Sequence, residues 1–189
     1  MALDTRKLSG LLLFLGGVQF TVGLMIAASL TPGYSIADDT ISSLGVREGA
    51  LVFNISIILL GVFVLAAAYF IRSALGSLVV AVLVAVAGIG ALGVGVFPAT
   101  TVFAGVHGLF SLITFLFSNV AAIYVARFVR TPLLPLSIAL GVIGLAALGL
   151  FISGTYLGLG IGGMERMIVL PVLAWAIALG GYLMAGEAT

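Results

Sequence analysis

Six long apolar runs, separated by short segments that hold the charges, limit this chain to very few folds. Each run is long enough to cross the hydrocarbon core of a bilayer as a helix, which takes about 20 residues. The runs cover residues 8–30, 50–71, 78–97, 106–126, 133–153 and 167–185, and all the charged residues lie outside them. Because the runs are continuous rather than short and alternating, they predict helices and not barrel strands. The sequence therefore predicts an all-α, polytopic membrane protein, with a single six-helix bundle over residues 1–189.

The composition excludes most classes of soluble protein. Hydrophobic residues make up 63% of the chain and charged residues 7%, whereas water-soluble domains carry about 25% charged residues. So little charge excludes a soluble enzyme and a disordered tail, because most of the folded surface must face lipid. The net charge of +1 provides no basic surface, so nucleic acid is not expected as a partner. Cysteine is absent, which excludes disulfides and thiolate metal sites, and no cofactor is expected.

The Lys and Arg residues indicate which way the bundle is inserted. Cytoplasmic connections carry the excess of these residues. One side of the membrane has five of them and the other side has two: Arg6, Lys7, Arg72, Arg127 and Arg130 against Arg47 and Arg166. This asymmetry predicts a multi-pass protein of the cell membrane with both termini in the cytoplasm. The opposite, outer side also holds four acidic residues, namely Asp38, Asp39, Glu48 and Glu165.

Glycine is abundant, with 26 residues, and its placement predicts how the helices associate. Lipid provides no hydrophobic drive between helices, so spans associate where small residues let their backbones approach. Two runs carry such residues: Gly88, Gly90, Gly93 and Gly95 in the third, and Gly141, Gly144 and Gly149 in the fifth. The outer connection after the fifth run is glycine-rich too, and we expect it to be either mobile or closely packed. In the first outer connection, Asp39 or Thr40 is expected to cap a short helix through Ser43.

The only histidine of the chain, His107, begins a polar stripe in the fourth run. Ser111, Thr114 and Ser118 follow it at steps of four, three and four residues, which places all four side chains on one helical face. Such a stripe either lines a wet pocket or proton path, or its hydroxyls bond their own backbone. We favour the backbone role for Thr114 and Ser118, and both interpretations stay open for His107. The amide of Asn54, also within a span, is expected to seek a partner on another helix.

Residue types suited to catalysis gather on the outer side. A hydrolase or transferase acting on lipid needs a nucleophile or an activated water beside a base. The catalytic candidates are His107 as the base, Asp38 or Glu165 as the residue that orients it, and Ser42. A wider set is predicted to bind a ligand: Asp38, Arg47, Asn54, His107, Ser111, Glu165 and Arg166. One histidine with dispersed carboxylates lacks the close spacing of a metal site, so no metal is predicted.

Several short motifs resemble a known family of membrane proteins. They are Pro32-Gly33-Tyr34-Ser35, the stretch from Asp39 to Gly45, Phe53-Asn54, Val96-Phe97-Pro98 followed by His107, and Gly163-Met164-Glu165-Arg166 before a span with Trp175. Their order and placement are similar to those of the prokaryotic family called domain of unknown function 998. More distantly, the Ile-Ser-x-Leu-Gly loop followed by Phe-Asn resembles the eukaryotic six-span autophagy-modulator type of protein.

The resemblance implies a six-helix membrane protein with no established reaction. It also implies that several residues occupy family-type positions: Ser42, Leu44, Gly45, Asn54, Pro98, His107, Glu165 and Arg166. No substrate follows from it.

Three functional hypotheses remain at this point. The first is a protein that binds a lipid, a small apolar molecule, a second copy of itself or another membrane protein through an outward-facing polar pocket. The second is the lipid hydrolase or transferase with His107 as base, and the third is a transporter or channel. We expect Asp38, His107 and Glu165 to gather around one axis on the outer side, with Arg47 or Arg166 paired within that group. The first hypothesis requires a cavity with mostly apolar walls and few convergent polar groups.

Overall fold

The protein consists of six long helices joined by short connections. The computed structural model describes residues 4–100 and 102–186. Its long helices are α1 (Thr5–Ser29), α2 (Ala50–Leu75), α3 (Leu78–Val96), α4 (Ala104–Val125), α5 (Leu133–Ile152) and α6 (Gly160–Ala185). All six are long and apolar enough to cross a membrane, and the described residues contain no strand. The all-α, six-helix prediction is thus confirmed.

The helices form a closed ring in which each one packs against its neighbours in the chain. Contacts run from α1 to α2 and onward to α6, and α6 returns to α1. One end of the ring, the loop end, holds the α1–α2, α3–α4 and α5–α6 connections. The other end, the terminal end, holds the start of α1, the end of α6 and the two remaining connections. The loop end is the side that the sequence predicts to be outer.

The α1–α2 connection contains a short 3-10 helix, Ile41–Val46, here called the loop helix. The Oγ1 of Thr40 accepts a hydrogen bond from the Ser43 N–H at 3.2 Å, which is the N-cap expected at this point. Ile41 and Leu44 are 3% and 0% exposed, and both belong to a core cluster with Phe20 and Phe53. The loop helix is therefore packed into the ring and does not lie free on its surface.

Most of the glycines expected to pack helices together do so. A methyl group added to Gly88 would lie 3.2 Å from the Gly61 carbonyl oxygen of α2. The others meet a neighbouring helix as follows: Gly95 meets α2, Gly90 and Gly93 meet α4, and Gly141 and Gly144 meet α4. The prediction is wrong for Gly149, which has nothing within 4 Å of the added methyl group. Gly149 is on the exposed face of α5, where no helix approaches.

The sixth helix begins earlier than the sequence predicts, and this corrects the position of two site residues. It starts at Gly160 rather than near residue 167, so Glu165 and Arg166 lie inside its second turn. The end of the glycine-rich segment packs closely, because the Gly162 N–H donates to the Ala37 carbonyl oxygen at 2.8 Å, whereas Gly154 and Gly158 have nothing within 4 Å of an added methyl group. Gly160 has φ 74°, a left-handed conformation that glycine adopts without steric cost.

Candidate functional site

A cavity runs along the axis of the ring. Its volume, measured as the space that the centre of a water molecule can occupy, is about 100 Å³. Four helices line it with residues spaced three and four apart, which is the pattern of one helical face. These stripes are Phe53, Ile57, Leu60 and Val64 on α2; Val84, Ala87, Ala91 and Val94 on α3; Ser111, Thr114, Ser118 and Ala121 on α4; and Glu165, Val169, Val172 and Ala176 on α6. From Ser111 to Ala121, α4 rises about 15 Å, so the cavity is elongated.

The cavity wall is mainly apolar, and its carboxyl group and the hydroxyl groups that have no bond to their own helix lie near the loop end. Thr114 Oγ1 donates to the Phe110 carbonyl oxygen at 2.9 Å and Ser118 Oγ to the Thr114 carbonyl oxygen at 2.6 Å, as expected for these two hydroxyls. The Ser111 hydroxyl has no hydrogen bond within the described part of the chain. Ser111 is seven residues from the start of α4 and Glu165 is five from the start of α6, so their depths from the loop end are similar.

Among the described residues that line the cavity, Glu165 is the charged one, and it is 3% exposed. Its Oε2 accepts a hydrogen bond from the Ile41 N–H, and its Oε1 accepts one from Ser42 Oγ at 3.0 Å. Glu165 thus fastens the start of the loop helix to α6. Within residues 4–100 and 102–186, no Lys, Arg or His forms an ion pair with this carboxyl group. The carboxyl group is therefore buried and hydrogen-bonded, with no counter-ion of its own.

Arg166 holds the α1–α2 connection against α6. Its Nη1 donates to the carbonyl oxygens of Ile36 at 2.8 Å, Asp39 at 3.2 Å and Gly162 at 2.8 Å. Its Nη2 donates to the Tyr34 hydroxyl, and its Cζ lies 5.4 Å from the centre of the Tyr34 ring. The guanidinium group thus binds the α1–α2 connection and the first turn of α6, and it forms no ion pair with the neighbouring carboxyl group of Glu165 in the described chain.

Arg47 also binds groups of the α1–α2 connection, at the surface of the loop end. Its Nη1 lies 3.1 Å from Asp39 Oδ2, and its Nη2 donates to the Pro32 carbonyl oxygen at 3.0 Å. The N–H of Ser35, which donates to Asp39 at 2.8 Å, and then Arg47 hold the pKa of Asp39 below its ordinary value. Burial raises the pKa of the Tyr34 hydroxyl. Arg47 is thus paired with Asp39, and not within the group of Asp38, His107 and Glu165 where the pairing of an outer arginine was expected.

His107 lies apart from the acidic residues expected to join it. Its Nδ1 is 2.8 Å from the carbonyl oxygen of Phe97, and because a carbonyl only accepts, Nδ1 carries the hydrogen. Its Nε2 is buried and has no hydrogen-bond partner in the described chain. No hydrogen bond joins His107 to Asp38 or Glu165, both of which are among the described residues. Asp38 is exposed, and its Oδ2 accepts from Ser35 Oγ at 2.7 Å.

The predicted site residues therefore fall into three groups. Ser42, Ser111 and Glu165 line the cavity, and Ser42 bonds directly to Glu165. Arg47 and Arg166 tie down the loop, whereas Asp38 and His107 stand apart from the cavity wall. Asn54 Nδ2 donates to the Gly45 carbonyl oxygen at 3.0 Å, so its partner is the loop helix and not another long helix. Across the described residues, no three His, Cys, Asp or Glu side chains are grouped to hold a metal ion.

Sequence reasoning missed the residues whose role depends on the loop. Tyr34 belongs to the Pro32–Ser35 motif, which gives no sign that its hydroxyl and its ring both contact Arg166. The backbone N–H of Ile41 carries no side-chain signal at all, yet it binds Glu165. The stripes on α2, α3 and α6 that line the cavity have the same spacing of three and four residues as the polar stripe of α4, and this spacing is the signal that could have found them.

Comparison with known proteins identifies a family for this chain but no specific activity. Neither the search of curated proteins nor the search of solved structures found a match. A family model described as a protein of unknown function (DUF998) matches residues 14–182. This match covers most of α1, all of α2–α5 and most of α6, including the cavity wall and the loop end. The chain therefore belongs to the DUF998 family.

Proposed function

We propose that this chain binds the apolar chain of an amphipathic, lipid-like ligand inside the ring. The observation that carries the proposal is the elongated axial cavity, which has mainly apolar stripes from α2, α3 and α6, the hydroxyl-bearing stripe of α4, and a carboxyl group near one end. Ligand sites generally combine a mainly apolar concave wall with a small number of polar groups that fix orientation. The ligand's polar head would lie near Glu165, Ser42 and Ser111, and its chain would extend toward the terminal end.

The same geometry favours binding over hydrolysis. A general base must lie within about 3 Å of the proton that it abstracts, directly or through one water. His107 is the only histidine, and its Nδ1 is taken by the Phe97 carbonyl oxygen, outside the cavity wall. Glu165 faces the cavity, but its bonded partners are a backbone N–H and a serine hydroxyl that donates toward it. Ser42 and Glu165 thus form a hydroxyl–carboxylate pair, but His107 bonds to neither of them within the described chain.

We further propose that the loop end faces the outside of the cell membrane and that both termini are cytoplasmic. Arg6, Lys7, Arg72, Arg127 and Arg130 lie at the terminal end, whereas Arg47 and Arg166 lie at the loop end. Positively charged residues accumulate on the cytoplasmic side. In this orientation, the polar end of the cavity is the end nearer the outer leaflet, from which a lipid-like ligand would come.

The test is to fill the cavity and measure whether a chain still binds. Ala91, 2% exposed, lines the cavity on α3, while Ile89 on the same helix is 50% exposed and faces away from the ring. Native mass spectrometry of the delipidated protein with added dodecanol would measure probe retention. We expect Ala91→Phe to weaken retention by about tenfold or more, because the ring occupies the space. The matched control Ile89→Phe should retain the probe as the wild type does.

The reverse pattern would contradict the proposal. If Ala91→Phe retained dodecanol as well as the wild type, the probe would be bound on the lipid-facing surface and not within the ring. Thermal unfolding of both variants in the same detergent checks that they are folded. Filling a cavity keeps or raises the unfolding temperature when the new side chain fits.

A further inference from the structure

We infer that the ligand of this cavity carries a cationic ammonium head, which pairs with Glu165. The inference rests on the proposed function, because it assigns the head of a ligand whose chain occupies the ring. It starts from an unusual feature of the cavity wall. Glu165 is 3% exposed and faces the cavity, yet no cation of the described chain forms an ion pair with it.

A buried carboxylate without a counter-ion is costly. Removing a charge from water costs several kcal/mol, and an interior charge is normally paired as well as hydrogen-bonded. The neighbouring Arg166 does not form this pair, since its guanidinium donates to two carbonyl oxygens of the α1–α2 connection, to that of Gly162 on its own helix and to Tyr34. His107 does not supply it either, because its bonded nitrogen faces Phe97. No cation of the described residues therefore contacts the carboxyl group of Glu165 directly, and a cation inside the cavity would supply that direct partner.

The hydrogen-bonding capacity of Glu165 also leaves room for a donor. An ionised carboxylate has about four acceptor positions. The Ile41 N–H and the Ser42 hydroxyl use two of them. An ammonium group has three N–H donors and a full positive charge, so it can fill the remaining positions and neutralise the carboxylate. The Ser111 hydroxyl, at a similar depth on α4, is a further acceptor in the same wall.

The other common head groups fit less well. A carboxylate or phosphate head would place a second negative charge beside Glu165, and like charges in a low-dielectric site repel strongly. An alcohol head donates one hydrogen bond and brings no charge. The structure therefore ranks the heads on one alkyl chain as ammonium first, alcohol second and carboxylate last.

The test measures this ranking directly. The protein in detergent would first be loaded with radiolabelled dodecanol. Three unlabelled competitors, namely dodecylamine, dodecanol and dodecanoate, would then be compared for their ability to displace it at neutral pH. For the wild type we expect dodecylamine to bind about tenfold more tightly than dodecanol, as for a close buried charge pair, and dodecanoate most weakly. In Glu165→Gln, which keeps the side-chain shape and an acceptor oxygen, the preference for the amine over the alcohol should disappear.

Two further variants separate this inference from the proposed function. Ser42→Ala removes one bond to Glu165 and keeps its charge, so the preference for dodecylamine should remain. Ala91→Phe should weaken all three probes by a similar factor. Equal binding of amine and alcohol to the wild type would overturn the cationic head, as would an unchanged preference in Glu165→Gln. In either case, the proposed function would still be supported if Ala91→Phe weakened all three probes, and only the cationic head would be overturned.

Discussion

The two ends of the helix ring use charged residues in opposite ways. At the terminal end, Arg72, Arg127 and Arg130 are exposed, and Lys7 and Asp4 form a pair at 3.7 Å whose side chains are 62% and 51% exposed. At the loop end, by contrast, Glu165 and Arg166 bind groups more than 120 residues away in the sequence. Arg72, Arg130 and the Lys7–Asp4 pair therefore interact mainly with water, whereas Glu165 and Arg166 hold two segments of the fold together.

This difference explains why the polar end of the cavity lies at the loop end. The α1–α2 connection folds back into the ring there and brings the Ile41 N–H and Ser42 within bonding distance of α6. The turn between α2 and α3 is short by comparison, because Leu75 ends one helix, Gly76 adopts φ 63° and Leu78 begins the next. So short a turn has too few residues to fold back into the ring and line a site.

The largest difference in stability between the two ends is expected when one arginine is removed from each. Arg166→Ala removes hydrogen bonds to three carbonyl oxygens and to Tyr34, leaving partly buried acceptors without a donor. We expect the free energy of unfolding to fall by about 2–4 kcal/mol. Arg72→Ala, at an exposed position of α2, should change it by less than about 0.5 kcal/mol. Unfolding of both variants in the same detergent measures the contrast, and equal losses would contradict the distinction between the two ends.

A smaller contrast is expected from acidification of the loop end. The folded-state pKa of Asp39 is lowered by the Ser35 N–H and by Arg47, and the charge of Arg166 acts in the same direction. A lowered folded-state pKa stabilises the fold fully above the unfolded value, and this contribution is lost as the pH falls through the folded value. The difference in unfolding temperature between the wild type and Asp39→Asn should therefore be largest near neutral pH and should narrow below the ordinary value of 3.8.

Asp38→Asn is the matched control for this pH dependence. Asp38 is the adjacent residue, is exposed, and bonds only to Ser35 through its side chain. Tyr34 and Glu165 also face this region, from the loop and from α6, and both remain in all three proteins. If the gap between wild type and Asp39→Asn did not change on acidification, the Asp39 bonds would contribute nothing to the stability of the loop end.

The number and kind of helices followed from the sequence because they depend on local composition. A run of about 20 apolar residues has few stable states other than a membrane helix. The packing glycines followed for the same reason, since a small residue in a span offers close approach. Gly149 is the exception, because the sequence of one helix does not reveal which face its neighbours cover.

The site could be predicted only as a set of residue types. Ser42 and Glu165 were both candidates, but their contact joins positions separated by 123 residues and depends on how the loop helix enters the ring. The start of α6 was missed because Gly160 and Gly162 lack helical propensity and are held instead by the backbone around Ala37. His107 has the chemistry of a base, yet the turn before α4 presents the Phe97 carbonyl oxygen to it.

The most direct test of the account is to map where an alkyl chain lies in the protein. Dodecanol with a photoreactive diazirine in its chain would be cross-linked to the protein, and the labelled residues identified by peptide mass spectrometry. We expect labels on cavity residues such as Val84, Ala91 and Val169, and excess unlabelled dodecanol should suppress them. Labels confined to Val82 and Ile89, each 50% exposed on the outer face of α3, would contradict a chain bound inside the ring.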